Sequence, residues 1–280
     1  MAKIIVVSDE HCRSFYKPVL NVKDTPIIFM GDYMDPYYWE GFDDEDGIEK
    51  LKEIIEFAKN NKNVILLTGN HDASWIWSPM GFERTSRKYY QELHKIYRDN
   101  INLFHPIHKV GDTIFTHAGI NDGWIKVVNE ILVNKGSTFQ ITEDNIVSYI
   151  ENEWALELQN DEAPNQHFGY ASLNSNIFDI GRSRGGDASY GGPFWSDLYS
   201  DWMNPEGWQC VQVFSHQQGE ITGQLRTWNG GICVDCRAIF EYNPDTHLMK
   251  PSELNDENTK CEIPEYCWKG EIIKKDNNYD

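Results

Sequence analysis

Six short apolar runs in the chain are each followed by residue types that bind metal ions, and this repeated pattern restricts the possible folds more than any other feature. Short apolar runs bounded by polar residues are typical of buried strands. Such strands place polar residues at their ends, where loops can converge on an ion. The runs and the polar residues after them are Lys3–Ser8 with Asp9 and His11, Pro26–Met30 with Asp32 and Asp35, Val64–Thr68 with Asn70, His71 and Asp72, Thr113–Thr116 with His117, Val211–Phe214 with Ser215 and His216, and Gly231–Val234 with Asp235.

The residue types at these strand ends indicate the kind of ion. Carboxylates, imidazoles and one amide suit borderline divalent cations, which take mixed oxygen and nitrogen ligands, and a soft thiolate site is not indicated. Two such ions held close together activate a water molecule and neutralise the charge of a phosphoryl group during its transfer. Asp32 is the natural bridge between them, since a carboxylate has two oxygens to share.

The ordered motifs resemble those of the calcineurin-like metallophosphoesterases, and within that superfamily they are most similar to the serine/threonine phosphoprotein phosphatase branch. One Gly-Asp or Gly-Asn alone is common turn chemistry. Independent turns, however, give no reason for five blocks to occur in the family's order across residues 1–236, so the joint match is specific. The blocks are Asp9-Glu10-His11, Gly31-Asp32-Tyr33-Met34-Asp35, Gly69-Asn70-His71-Asp72, His117-Ala118-Gly119-Ile120 and Ser215-His216-Gln217.

This resemblance implies a layered α/β fold in which two packed mixed β-sheets are flanked by helices. It also implies two divalent metal ions, with Mn²⁺ as the first expectation and Fe, Zn or Mg as alternatives. His71, oriented by Asp35, would protonate the leaving oxygen. The implied ligands are Asp9, His11 and Asp32 for the first ion and Asp32, Asn70, His117 and His216 for the second.

The chain departs from the family pattern at a position that matters for phosphate binding. The phosphatase branch usually has an arginine after the second block, whereas this chain has Pro36. A glycine-flanked basic loop at 180–186 is a possible replacement, because glycines let the backbone approach an anion and an arginine fork suits phosphate. We therefore expect Arg184, or failing that Arg182, to bind the substrate phosphate. A solvated surface turn is the alternative interpretation of this loop.

Three functions remain open on the sequence alone. The first is a metal-dependent phosphatase that hydrolyses phosphomonoesters, with phosphoserine or phosphothreonine in proteins as substrate, by in-line attack of a metal-bound hydroxide. The second is a nucleotide or dinucleoside polyphosphate hydrolase, since His117-Ala118-Gly119-Ile120 resembles the corresponding motif of diadenosine tetraphosphate hydrolases of the same fold. The third is a binding module that has lost turnover, which only Pro36 supports.

The net charge of −19 limits the partners. Such a chain repels polyanions, so a phosphorylated protein or small phosphoester is expected as substrate and a nucleic acid is not. The first strand follows directly after Met1-Ala2-Lys3, with no signal peptide and no run long enough to span a membrane. A cytoplasmic location is therefore expected, and the oligomeric state is left open.

The periodicity of apolar residues suggests how the chain is organised. Apolar residues between 48 and 58 recur at helical spacing between the second and third strands, and residues 83–99 also read as a helix. We expect a catalytic domain over residues 1–242, with a mostly helical insertion at about 121–185. Residues 243–280 are richer in polar residues and read as a C-terminal extension that is partly ordered.

Overall fold

All six predicted strands are present in the structure, a computed structural model that describes residues 3–77, 83–159, 175–217, 226–228, 230–255 and 266–267. Each strand lies within its predicted apolar run, so local hydrophobicity was sufficient to locate it. They are β1 (Ile4–Val7), β2 (Ile27–Phe29), β3 (Val64–Leu67), β6 (Thr113–Phe115), β7 (Val211–Phe214) and β9 (Gly231–Cys233).

The strands form two mixed sheets, which confirms the predicted fold class. Besides the six predicted strands, the described residues form β4 (Phe104–His105), β5 (His108–Val110), β8 (Arg226–Trp228), β10 (Ile239–Asn243), β11 (Leu248–Pro251) and β12 (Tyr266–Cys267). One sheet has seven strands in the order β12-β11-β10-β1-β2-β3-β4, and the other has five in the order β5-β6-β7-β9-β8. Within the first sheet β1, β2, β3 and β4 are parallel, and within the second β6, β7 and β9 are parallel.

The side chains of β1 point alternately to the two faces of its sheet, and this explains how the layers are arranged. Ile4 and Val6 belong to an apolar cluster that also contains Phe115 and Val213 of the second sheet, so this face of β1 packs between the two sheets. Ile5 and Val7 belong to a second cluster, which includes the buried residues of the first helix. Because successive side chains of a strand point to opposite faces, β1 is buried on both sides. This explains why its sequence is continuously apolar.

The first helix follows the predicted pattern. Its cap Asp43 accepts a hydrogen bond from the backbone N–H of Asp46, and the acidic residues around it complement the helix dipole. Its buried apolar residues are those predicted between positions 48 and 58. The helices are α1 (Asp44–Asn60), α2 (Asn70–Ile76), α3 (Tyr90–Asp99), α4 (Asp122–Asn134) and α5 (Ile146–Gln159).

The helix predicted over residues 83–99 is shorter than expected. A 3₁₀ turn at Arg87–Tyr89 precedes α3, which begins at Tyr90. The residues before it bond to other loops, since the backbone N–H groups of Thr85 and Ser86 donate to the carboxylates of Asp35 and Asp44. The prediction of a helical start at 83 was therefore wrong, because tertiary hydrogen bonds replaced the helical ones.

The proposed insertion contributes α4 and α5, followed by 3₁₀ turns at Asn176–Phe178 and Arg182–Arg184. Residues 160–174 of this region lie outside the described residues, as do 256–265 and 268–280 of the proposed extension. β11 pairs with β10 in the larger sheet. The division at 242 stays a prediction. Among the helices that the structure describes, none is both long enough and apolar enough to cross a lipid bilayer.

Candidate metal centre and phosphate pocket

The ends of three strands from each sheet meet at one place. Two groups of possible ligand atoms lie there, one formed by Asp32, His11 and His71 and the other by Asp32, His117 and His216. Within each group the ligand atoms lie within 4.8 Å of one another, and Asp32 belongs to both. This arrangement is what a carboxylate that bridges two ions requires.

Asn70 joins the second group at close range. Its Oδ1 lies 3.0 Å from Nε2 of His117 and 2.9 Å from Nδ1 of His216, and the two histidine nitrogens are 3.2 Å apart. Nδ1 of His117 is 2.9 Å from the carbonyl oxygen of Met30, a contact that fixes the ring so that Nε2 faces Asn70.

Asp9, which the resemblance assigns to the first ion, belongs to neither group and lies beside the second. Its Oδ2 accepts a hydrogen bond from the backbone N–H of His216 at 3.1 Å, which links the first sheet to the second. Its Oδ1 is 3.8 Å from Nδ1 of His117. Asp235, at the sixth strand end, lines a cavity that is also lined by His11, Asp32, Asn70, His71 and His216.

The backbone at the site adopts an uncommon conformation. His11, Asp32, Asp35 and His216 have positive φ angles of 44°, 57°, 69° and 71°. Left-handed backbone is unfavourable for residues other than glycine and collects at functional sites. Four of the proposed site residues therefore sit in strained turns directly after their strands.

Two glycines allow the loops after β2 and β3 to touch. Gly31 has a φ of +102°, and a Cβ there would lie 2.5 Å from the backbone nitrogen of Gly69. A Cβ at Gly69 would lie 2.0 Å from Oδ1 of Asp32. Only glycine permits this approach, which brings Asp32 next to Asn70.

The last residue of the third block, Asp72, ties these loops together. Its Oδ2 accepts hydrogen bonds from the backbone N–H groups of Asp32 at 2.7 Å and Gly69 at 2.8 Å. Its Oδ1 accepts from the backbone N–H of Tyr33 at 3.1 Å and from the Tyr97 hydroxyl at 2.5 Å. Sequence reasoning assigned Asp72 no role, although its position in the block was a signal.

The electrostatics of the site fit divalent cations. Burial raises the pKa of Asp9 well above its usual range, and the Asp235 carboxylate raises it further. Burial alone would lower the pKa of His117, but the carboxylates of Asp32 and Asp9 outweigh it and raise that pKa to about 10. A buried cluster of carboxylates is costly unless positive charge balances it.

Unused ligand atoms point to the same conclusion. Oδ1 of Asp9 and Nε2 of His216 are buried and have no hydrogen-bond partner among the described residues. Buried polar atoms normally have a partner. The oxygen and nitrogen donors present thus suit a pair of borderline divalent ions.

His71, the expected proton donor, is itself part of the first group of possible ligand atoms. Nδ1 of His71 contacts Oδ2 of Asp35, which is fully buried. The backbone N–H of His71 donates to Oδ1 of Asp32 at 3.0 Å. The histidine is therefore held between Asp32, the proposed bridging carboxylate, and Asp35, and it lines the cavity.

The two candidate arginines differ in position. Arg184 lines the cavity, with Nε 2.8 Å from Oδ2 of Asp197. Asp197 is itself fixed by Nε2 of Gln217 at 2.6 Å. Arg182 is exposed and is not among the residues that line this cavity.

A third arginine, Arg84, was missed by the sequence reasoning. Its Nε donates to the carbonyl oxygens of Asp35 and Pro36, both at 3.0 Å, and its guanidinium lies 3.9 Å from the centre of the Tyr37 ring. It lines the cavity. An arginine from a distant part of the chain therefore stands beside Pro36, where the family's usual arginine is absent. No sequence spacing would have revealed it.

The sequence model of the calcineurin-like phosphoesterase family matches residues 2–217. The chain belongs to this family and is a metal-dependent hydrolase of phosphoric esters. No curated protein matches the chain.

Solved structures support the same fold. A cold-active protein-tyrosine phosphatase of a psychrophilic Shewanella species is 16% identical with a TM-score of 0.58, over 95% of this chain and 80% of that one. A second structure of a cold-active protein tyrosine phosphatase is 15% identical with a TM-score of 0.59, over 95% of this chain and 78% of that one. A serine/threonine phosphatase from Saccharomyces cerevisiae is 14% identical with a TM-score of 0.46, over 87% of this chain and 73% of that one.

Proposed function

We propose that the protein is a two-metal phosphomonoesterase that acts on phosphorylated proteins. The observation that carries the proposal is the sharing of Asp32 between two groups of ligand atoms. When bound, two divalent cations supply an activated water and neutralise phosphoryl charge. The sequence resemblance favours phosphoserine and phosphothreonine as substrates, Mn²⁺ as the ion and the cytoplasm as the location. The proposed ligands are Asp9, His11 and Asp32 for one ion and Asp32, Asn70, His117 and His216 for the other.

The chain's own side chains would orient the ester and move the proton. His71, held by Asp35, is placed to donate a proton from the cavity side to the leaving oxygen. Arg184, steered by Asp197, is our first candidate for binding the phosphate, with Arg182 as the alternative. Arg84 provides a second positive charge at the cavity, and arginine forks bind phosphate oxygens well.

The test is hydrolysis of a generic aryl phosphate by the purified protein, with and without Mn²⁺, alongside metal analysis and an Asp32→Asn variant. We expect metal-dependent turnover that the variant loses together with bound metal. A fully metallated wild type without turnover on aryl phosphates, phosphopeptides or dinucleoside polyphosphates would refute the proposal and favour a binding protein. Turnover of polyphosphates alone would favour the nucleotide hydrolase.

Comparing Arg184→Ala with Arg182→Ala decides between the two predicted arginines. We expect the Arg184 variant to raise KM or lower kcat for a phosphoester while its metal content stays at the wild-type level. Kinetics indistinguishable from the wild type would remove Arg184 from the site. Such a change in the Arg182 variant alone would show that the alternative is correct.

A further inference from the structure

The mouth of the phosphate cavity carries aromatic surface that the proposed phosphoryl chemistry does not use. Trp39 is 77% exposed and Tyr199 is 66% exposed, which makes them the two most exposed large hydrophobic residues that the structure describes. Tyr199 lines the cavity, and Trp39 packs on Tyr37, which also lines it.

The first wall is built on Tyr37, whose ring lies 5.1 Å from that of the proposed ligand His11 in an edge-on arrangement. The guanidinium of Arg84 lies over the same ring, 3.9 Å from its centre. Trp39 packs on Tyr37 with ring centres 4.8 Å apart. Tyr37 is therefore held on several sides, and it presents Trp39 beside the His11 edge of the site.

The second wall is built on Trp195, whose ring lies 5.6 Å from that of the proposed ligand His216, again edge-on. Tyr199 follows Asp197, which accepts the backbone N–H of Tyr199 at 3.0 Å. Trp195, Tyr199 and Tyr37 all line the cavity. An ester whose phosphate lies at the proposed ligands would thus have aromatic side chains beside its leaving group.

We propose that this site prefers aryl phosphomonoesters, including tyrosine phosphate in a peptide, with the ring of the leaving group bound between the Tyr37–Trp39 wall and Tyr199. This inference rests on the proposed function and specifies the leaving group of the phosphate ester that the protein would hydrolyse. The bond that breaks is the one between phosphorus and the ring oxygen. Water supplies the oxygen that the phosphate gains, and the phenolate takes a proton.

Aromatic walls favour an aryl group over an alkyl one for a physical reason. Offset and edge-on ring pairs are favourable beyond the area that they bury, whereas an alkyl leaving group has no ring with which to form them. The five motif blocks describe the machinery that handles phosphate, and they carry no information about the leaving group. The preference for phosphoserine and phosphothreonine therefore rests on the family branch, whereas the aryl preference rests on this chain's own cavity walls.

The first experiment compares kcat/KM for phenyl phosphate with that for an alkyl phosphate, and for a phosphotyrosine peptide with the matching phosphoserine peptide. In Trp39→Ala and Tyr199→Ala we expect the ratio of kcat/KM for the aryl ester to that for the alkyl ester to fall by about fivefold. This is the change expected when roughly 40 Å² of apolar contact with the ring is lost. Phe139→Ala is the matched control, since Phe139 is 41% exposed and packs on Tyr149, away from the cavity. An unchanged ratio in both cavity variants would overturn the inference.

A binding experiment separates this inference from the proposed function. Calorimetry of the metal-loaded protein with phenylphosphonate and methylphosphonate needs no turnover. Tighter binding of phenylphosphonate that is lost in Trp39→Ala would support the aryl site even if hydrolysis failed. Equal binding of the two phosphonates would overturn it even if hydrolysis succeeded. If the variants changed the ratio of kcat/KM for the two peptides but not the ratio for phenyl phosphate and the alkyl phosphate, the inference would also be overturned. The aromatic residues would then recognise the peptide and not the ring of the leaving group.

Discussion

The hydroxyl of Tyr97 offers a direct test of how the ligand loops are held. Tyr97 is fully buried on α3, and its hydroxyl donates to Asp72 at 2.5 Å. Asp72 in turn binds the backbone of Asp32 and Gly69. The change Tyr97→Phe removes this donor without opening a large cavity. It therefore weakens the clamp on the proposed bridging residue while the core stays filled.

The structure allows the size of the effect to be worked out. A hydrogen bond to a charged acceptor contributes about 1.5–3 kcal/mol, and Asp72 keeps its three backbone donors, so the loss should stay in that range. For a chain of 280 residues this corresponds to a fall in Tm of about 3–5 °C. Outer partners of ligands also affect metal affinity, and we expect affinity for Mn²⁺ to fall by about tenfold.

The assay is thermal unfolding of the metal-free protein, so that metal binding does not contribute to the measured stability. Calorimetric titration with Mn²⁺ then gives the affinity. Tyr149→Phe is the matched control, since the Tyr149 side chain is also largely buried and its hydroxyl makes no hydrogen bond to a residue that the structure describes. If Tyr97→Phe is no less stable than this control and binds Mn²⁺ equally well, the clamp does not act as argued.

Three further predictions concern single residues. Arg84→Ala should weaken competitive inhibition of the Mn²⁺-loaded protein by inorganic phosphate by about tenfold or more, because charge-assisted hydrogen bonds to phosphate are lost; unchanged inhibition would contradict this. Gly69→Ala should abolish metal binding while retaining the circular dichroism spectrum, since the new Cβ would lie 2.0 Å from Oδ1 of Asp32; normal metal content would show that the loop can yield. Burial raises the pKa of Asp179 to about 6. Because this carboxyl group loses its proton at a higher pH in the native state than in the unfolded state, the native state loses stability as the pH rises from about 4 to 6. Asp179→Asn should therefore gain stability relative to the wild type across that range, by about 1 kcal/mol after allowing for partial exposure, as measured by denaturant unfolding at pH 4.5 and 7.

Much of the fold could be predicted because its information is local. Strands buried on both faces must be continuously apolar, as in Ile4–Val7, and their ends must carry the polar residues. The residue types proposed as ligands could be located for the same reason, since they follow these strands. The position of Arg84 could not be predicted in this way. Its hydrogen bond to Pro36 joins segments 48 residues apart, and the acceptor is a backbone carbonyl, which every residue has. The late start of α3 has a similar origin, since the carboxylate of Asp35 takes the N–H of Thr85.

The division of the site between two sheets makes metal binding and folding interdependent. Asp9, His11 and Asp32 follow strands of the larger sheet, whereas His117 and His216 follow strands of the smaller one. Apolar packing between the sheets, through residues such as Val6 and Val213, sets the distance across which these ligands meet. Cations that bind both sets stabilise the packed state by mass action. Conversely, a shift of one sheet relative to the other would move His216 away from Asp9 and separate the proposed ligands that the two sheets contribute.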